Sequence, residues 1–370
     1  MARASRAEWS SNNTAHSGGF TDLCGMRKVI HIVRMWPTAQ DPQHGSFVVA
    51  HLRALAPHVQ QRVVVWDGQP AAQHLLTEEF DVHAPSADGF SAKWRLLKGL
   101  LDDDQPHVVH VHGAGRDSAL AFLLVHMQHG SRVKRVVTEH QSQWADQPNS
   151  GAIWTLRLAH SRTAVSEWLA HRMQPYCAGA DVVVVPNCLV APDLPLQRSE
   201  ATHRRFLWVG DLAPVKGMQQ LLEAWAEHHK GHPSDTLTLV GGTEAVGLHS
   251  DHMPEGATYA GPATPDEVHQ RMLHHDILVV NSERETFGMV IGEALERGMR
   301  VLCTPIPGPQ SVYQEAGITY RRDHSLEDLI AHLARAEKWS DAPAQLERFR
   351  EAPVAEAFQA LYAPTRKKGN

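Results

Sequence analysis

Apolar positions along this chain alternate between two rhythms. Short β-branched runs at 29–33, 62–66, 108–111, 133–138, 163–165 and 182–185 read as strands. Between them, apolar residues recurring every three or four positions predict helices over 47–55, 92–101, 117–127, 153–160 and 167–173. The stretch 186–205, PNCLVAPDLPLQRSEATHRR, has three prolines and little periodicity, so it reads as a linker. After it the alternation restarts: strands at 205–209, 237–240, 277–280 and 300–304, helices at 218–229, 265–273 and 288–297. In helix 218–229, Met218, Leu221, Leu222 and Trp225 share one face. The pattern predicts an α/β protein of two doubly wound, Rossmann-like domains in tandem. Ligands of such sheets bind at the carboxyl ends of the strands, so two facing domains place the site in the cleft between them.

Composition narrows the class. The 370 residues suffice for two domains with sizeable cores. A net charge of −6 argues against a nucleic-acid partner. Apolar runs such as 119–125 are too short to span a bilayer. Cys24, Cys177, Cys188 and Cys303 form no CxxC pair, which suggests reduced thiols in the cytoplasm. Residues 1–25 lack a signal-peptide core and read as a disordered tail or a start upstream of the true one. Among 26 histidines, His110 and His112 alternate on one strand and could hold zinc. No carboxylate or Cys stands near them at ligand spacing, which favours a structural role. Asp102-Asp103-Asp104 reads as a solvated turn rather than a metal site.

The stretch 283–293, ERETFGMVIGE, carries the most chemistry. It reads as a loop with Ser282 as a candidate cap, then a short helix beginning near Gly288. A helix N-terminus presents open N–H groups and partial positive charge, which suits phosphate. Glu285 and Glu293 would stand about 12 Å apart if the span were wholly helical. Carboxylates accept hydroxyls, so a ligand with hydroxyls at both ends and phosphates between them fits. A nucleotide sugar is such a molecule.

Several stretches occur in a recognisable order: GSFVVAHLRALA (45–56), PHVVHVHG (106–113), VVTEHQS (136–142), RTAVSEWLA (162–170), VVPNCLV (184–190), FLWVGDLAPVKGMQQLLEAW (206–225), YAGPATPDEV (259–268), HHDILVVNSERETFGMVIGEALERGMRVLCTPIPG (274–308) and EAPVAEAFQALY (351–362). This order closely resembles the family-4 retaining glycosyltransferases, which have GT-B architecture. The resemblance implies an N-terminal acceptor domain over 26–188, a linker over 189–204, a donor domain over 205–345, and a segment 346–370 whose helix crosses back. It implies that Glu285 holds hydroxyls of the donor sugar and Glu293 the ribose. Thr286, Phe287 and Gly288 would set backbone amides against sugar and phosphate. Lys216 matches the family's phosphate lysine, and Gly45 and Ser46 the glycine loop that approaches the phosphate from the first domain. Gly261, Pro262 and Ala263 would lie near the base. His140 matches a histidine placed against the donor sugar, with a core-satisfied imidazole as the competing reading.

The implied reaction moves a hexose from a nucleoside diphosphate to an acceptor hydroxyl, with retention and without a metal or other cofactor. A front-face displacement, in which the leaving phosphate helps accept the proton, suits motifs with no evident nucleophile. Polysaccharide or glycolipid synthesis is the expected context, with a glycan or lipid-linked acceptor. The basic stretch AKWRLLKGLL (92–101) would allow peripheral membrane contact, or is an ordinary packed helix. Three departures from the family stand out. Asp211 replaces the usual arginine after Gly210, Asn281 the usual proline, and a loop Pro307-Gly308-Pro309-Gln310 the usual Gly-Gly-x-Glu. They keep two alternatives open: a catalytically weak nucleotide- or partner-binding homologue, and a nucleotide-sugar isomerase of the same fold.

Overall fold

The computed structural model describes residues 26–38, 44–66, 79–87, 89–141, 148–189, 202–242, 253–314, 317–337 and 346–363. Residues 1–25, most of the expected linker, and Cys24 therefore lie outside the described residues. The first sheet is built from β1 (Arg27–Val33), β2 (Val59–Val65), β3 (Val82–His83), β4 (Val108–His112), β5 (Lys134–Glu139), β6 (Ser161–Ala164) and β7 (Val182–Val184), in the order β3-β2-β1-β4-β5-β6-β7. The second contains β8 (Arg205–Val209), β9 (Thr236–Val240), β10 (Ala257–Tyr259), β11 (Ile277–Val280), β12 (Arg300–Cys303) and β13 (Ile318–Tyr320), ordered β10-β9-β8-β11-β12-β13. Every pairing is parallel. In both sheets the strand order reverses beside the first strand, between β1 and β4 and between β8 and β11. Those switch points open crevices at the carboxyl ends of the strands.

Helices cover the sheets: α1 (Ser46–Leu55), α2 (Phe90–Asp104), α3 (Arg116–His129), α4 (Ser150–Leu158) and α5 (Glu167–Met173) in the first half. The second half adds α6 (Met218–Gly231), α7 (Pro265–Leu273), α8 (Met289–Glu296), α9 (Pro307–Val312) and α10 (Leu326–Arg335). The capping residues are legible locally: Ser166 accepts from Leu169 N, and Thr264 and Glu267 form a reciprocal capping box. Met218, Leu221, Leu222 and Trp225 are all buried, as the helical face predicts.

Three expectations are corrected. Ser282 does not cap α8; the N-cap is Gly288, in the left-handed conformation and without a side-chain bond. Residues 307–310 are not a loop but open α9, with Pro307 at a position where no N–H is needed. Asp104 is not solvated: at the end of α2 it is buried and accepts both Arg62 Nη1 bonds, at 2.9 and 2.7 Å.

The final helix, α11 (Glu351–Tyr362), returns to the first domain and packs on α1. Arg350 fastens it to the second domain through the buried Glu296, at 2.6 and 3.0 Å. Beside it, Leu189 N donates to the Phe349 carbonyl, so the two chain crossings pair with each other. The largest apolar cluster includes Ile30, Val111 and Leu169 from the first domain and Phe287, Ile291 and Tyr313 from the second.

Candidate active site

At the β8–β11 switch point, Lys216 Nζ donates to Glu285 Oε2 at 2.7 Å. Lys216 ends a single turn after β8, and Glu285 lies in the loop from β11 to α8. Both side chains are partly exposed, at 28% and 22%, so a ligand can reach the pair. The next residue, Gly217, anchors the lysine turn. Gly217 is left-handed, and a Cβ there would fall 2.0 Å from the Asn281 carbonyl oxygen, so only glycine permits this approach. Asn281 Nδ2 donates to the Gly217 carbonyl at 2.8 Å and to Gln220 Oε1 at 3.0 Å. Its Oδ1 accepts from buried Arg321, which also reaches the buried Asp328. Sequence reasoning marks Asn281 only as a departure from proline; its partner Arg321 lies 40 positions away, with no local signal.

Glu285 is braced from behind. Gly308, in α9, lies so close that a Cβ would stand 2.1 Å from the Glu285 carbonyl oxygen. Phe287 is buried against Tyr313 and Phe349, ring centroids 5.6 and 5.4 Å away. Thr286 Oγ1 donates across the domains to the His140 carbonyl at 2.7 Å. Gly288 then starts α8 beside the Lys216–Glu285 pair: a Cβ there would stand 3.5 Å from Glu285 Cγ. Glu293, a turn into α8, faces His269 of α7 at 3.6 Å, a neighbour that sequence reasoning does not pick out. Gly261, at the end of β10, accepts from Gly241 N. Asp211 and Arg284 are both exposed.

From the first domain, Gly45 caps α1 with a backbone turn lying against Met35 and Trp36, and Ser46 begins the helix. The ring of Phe47, the next residue, lies tilted against that of His140, with centroids 4.7 Å apart. His140 itself is only 6% exposed. Its imidazole faces inward: Nε2 meets His112 Nδ1 at 3.2 Å. Burial first, then His51, pushes its pKa well below the ordinary value, with Asn187 opposing. The structure thus joins Lys216, Glu285, Thr286 and the His140 backbone, with Gly45 and Ser46 close in sequence to the ring contact at Phe47. It sets the His140 side chain into a buried histidine layer instead.

The cations of α2 are engaged within the protein. Lys93 pairs with Asp117 and Lys98 with Asp102, at 2.7 and 2.6 Å. No helix among the described residues is long and apolar enough to cross a membrane. Cys177, Cys188 and Cys303 are buried free thiols, and burial raises all three, the last two to about 12.

Two doubly wound parallel sheets, joined by a crossing C-terminal helix and with polar groups gathered at the strand ends between them, define the GT-B class. Solved structures share the fold across nearly their full lengths. Sucrose-phosphate synthase from Thermosynechococcus elongatus aligns with a TM-score of 0.71 and 16% identity, over 91% of this chain and 98% of its own. Anabaena HepE in complex with UDP gives 0.69 and 15%, over 90% and 99%. The lipopolysaccharide outer core galactosyltransferase WaaB, in its apo form, gives 0.67 and 16%, over 90% and 98%. A family model described as Glycosyltransferase Family 4 matches residues 44–190, and one described as Glycosyl transferases group 1 matches residues 203–337. The chain belongs to this glycosyltransferase family. No curated protein matches it significantly by sequence.

Proposed function

We propose that this glycosyltransferase is a retaining, metal-independent hexosyltransferase of the cytoplasm. It moves a sugar from a nucleoside diphosphate to a hydroxyl of a glycan or lipid-linked acceptor, in surface polysaccharide or glycolipid synthesis. The observation that carries the reading is the Lys216–Glu285 pair at a topological switch point, beside the N-terminus of α8. UDP in HepE, and the galactosyl and sucrose-phosphate chemistry named for the other two fold relatives, agree with a nucleotide-sugar donor.

In this reading the donor separates the ion pair. Lys216 turns from Glu285 to the diphosphate, and Glu285 is released to accept sugar hydroxyls. Two phosphates gain negative charge as the sugar leaves, and a fixed ammonium with aligned N–H groups stabilises that charge. Glu293 accepts ribose hydroxyls, with His269 as its neighbour. Thr286, Phe287 and Gly288 hold the sugar and phosphate against backbone amides, while Gly45 and Ser46 close from the first domain. The departing phosphate takes the acceptor's proton on the same face, so the protein contributes positioning rather than a nucleophile. His140 acts through its backbone and its tilted ring contact with Phe47, since its ring is buried.

Transfer assays on Lys216→Ala and Glu285→Ala test the assignment. Each variant should lose about a hundredfold or more in kcat/KM. Near wild-type transfer by both would remove this pair from the reaction.

A further inference from the structure

The first domain buries five histidines between its sheet and α1 and α11: His31, His51, His110, His112 and His140. A hydrophobic interface gains nothing from imidazoles unless their nitrogens are satisfied. His110 is fully accounted for, with Nδ1 at 2.7 Å from Tyr362 Oη and Nε2 at 2.7 Å from Thr138 Oγ1. Of the other four, His112 also has a partner at each ring nitrogen, while His31 Nε2, His51 Nδ1 and His140 Nδ1 have none. His51 Nε2 lies 3.1 Å from the Pro186 carbonyl, which can only accept, so Nε2 carries the hydrogen and Nδ1 keeps its lone pair. That Nδ1 is buried and has no hydrogen-bond partner.

One ring nitrogen from each of His51, His112 and His140 lies within 4.8 Å of the others. His112 Nδ1 and His140 Nε2 are 3.2 Å apart. With metal–nitrogen bonds of about 2.0–2.1 Å, two ligands of a tetrahedral zinc ion stand about 3.3 Å apart. The outer nitrogens have a supporting shell of the kind that orients metal-binding imidazoles. His51 has the Pro186 carbonyl and His112 Nε2 has His31 Nδ1 at 3.3 Å. For His140, Nδ1 and Asn187 Oδ1 are both buried without an aligned bond, yet Asn187 acts on the ring, so the two lie close but misaligned.

The geometry points to a three-histidine binding site for a borderline divalent transition metal of the zinc class, formed by His51, His112 and His140. The ligands come from α1, the end of β4 and the residue after β5, three elements no sequence spacing would connect. Nitrogen-only donors favour zinc, cobalt or nickel over the oxygen-seeking magnesium and calcium. Glu139, buried and held by the N–H groups of Ala114, His140 and Gln141, places a carboxylate beside the ligand His140 in the chain. The metal would be structural: it would tie α1, and with it Phe47, to the loop whose carbonyl receives Thr286. It is separate from the donor phosphates and does not depend on the proposed transfer reaction.

The test uses the full chain, stripped with chelator and titrated with Zn2+ and then Co2+. We expect one equivalent bound per chain, a visible tetrahedral Co2+ spectrum, and metal-dependent shifts of His51 Nδ1, His112 Nδ1 and His140 Nε2 in 15N spectra. His51→Leu should weaken binding by about a hundredfold or more, while His126→Ala, at an exposed position, should leave it unchanged. If His51→Leu fails to fold, the 15N shifts of the wild type decide alone. Absence of binding, binding unchanged in folded His51→Leu, or shifts confined to exposed histidines would overturn the site and leave a metal-free imidazole network.

Discussion

Replacing Arg350 by alanine removes the guanidinium that fastens the C-terminal crossing to the second domain. Arg350 pairs with Glu296 through an Nη2–Oε1 ion-pair contact at 2.6 Å and an Nη1–Oε2 hydrogen bond at 3.0 Å, and donates a longer bond to the Leu189 carbonyl at 3.4 Å. The Glu296 side chain is 1% exposed and that of Arg350 21%. The variant therefore strands a carboxylate that water cannot reach. Breaking one side of a buried pair costs about 3–5 kcal/mol, against about 0–1 kcal/mol for an exposed pair. Burial already raises the Glu296 carboxyl, and Arg350 is the first group opposing that shift. Without Arg350 the carboxyl takes up a proton on folding, so the deficit is largest at neutral pH and shrinks as pH falls toward 4.5. Urea denaturation followed by circular dichroism, with hydrogen exchange of 351–362, measures the cost and locates it. Glu296→Gln combined with Arg350→Ala should recover much of the loss, because no stranded charge remains. A loss below about 0.5 kcal/mol for Arg350→Ala, with no recovery in the double variant, would refute the reasoning.

Asn281→Ala should loosen the Lys216 turn and leave buried Arg321 short of an acceptor, costing about 1–3 kcal/mol of stability. Nucleotide affinity should fall with it; a variant with unchanged stability and affinity would deny Asn281 this bracing role. His160 supplies a pH effect. Burial first, then Arg135, lowers it to about 4 from 6.5, and its Nδ1 accepts the Arg135 N–H at 3.0 Å. The unfolded chain binds the proton more readily, so this stability is fully present above pH 6.5 and is lost as pH falls through 4. Urea midpoints between about pH 7 and pH 4.5 should fall less steeply in His160→Gln than in wild type, and equal slopes would exclude the assignment.

Much of the fold is legible because each segment declares itself locally. Helix α6 shows its buried face in Met218, Leu221, Leu222 and Trp225, and α7 its start in Thr264, Pro265 and Glu267. Strands β3, β10 and β13 escape a sequence reading because two or three residues carry no period. Helix α9 reads as a loop because Pro-Gly-Pro signals a turn, although a first-turn proline also suits a helix. Within the site, the motif residues Lys216 and Glu285 are identifiable, and their 2.7 Å contact follows from the switch point. The bracing by Asn281 and Arg321, and the convergence of His51 on His112 and His140, depend on partners far apart in sequence.

The central claim is a nucleoside-diphosphate site at the carboxyl ends of β8 and β11. Calorimetric titration of UDP, GDP and ADP into the wild type and Glu293→Ala tests it most directly. The account predicts that one of the three binds the wild type and that Glu293→Ala weakens it by about tenfold or more, equal to about 1.4 kcal/mol. Binding of none, or equal binding by both proteins, would contradict it.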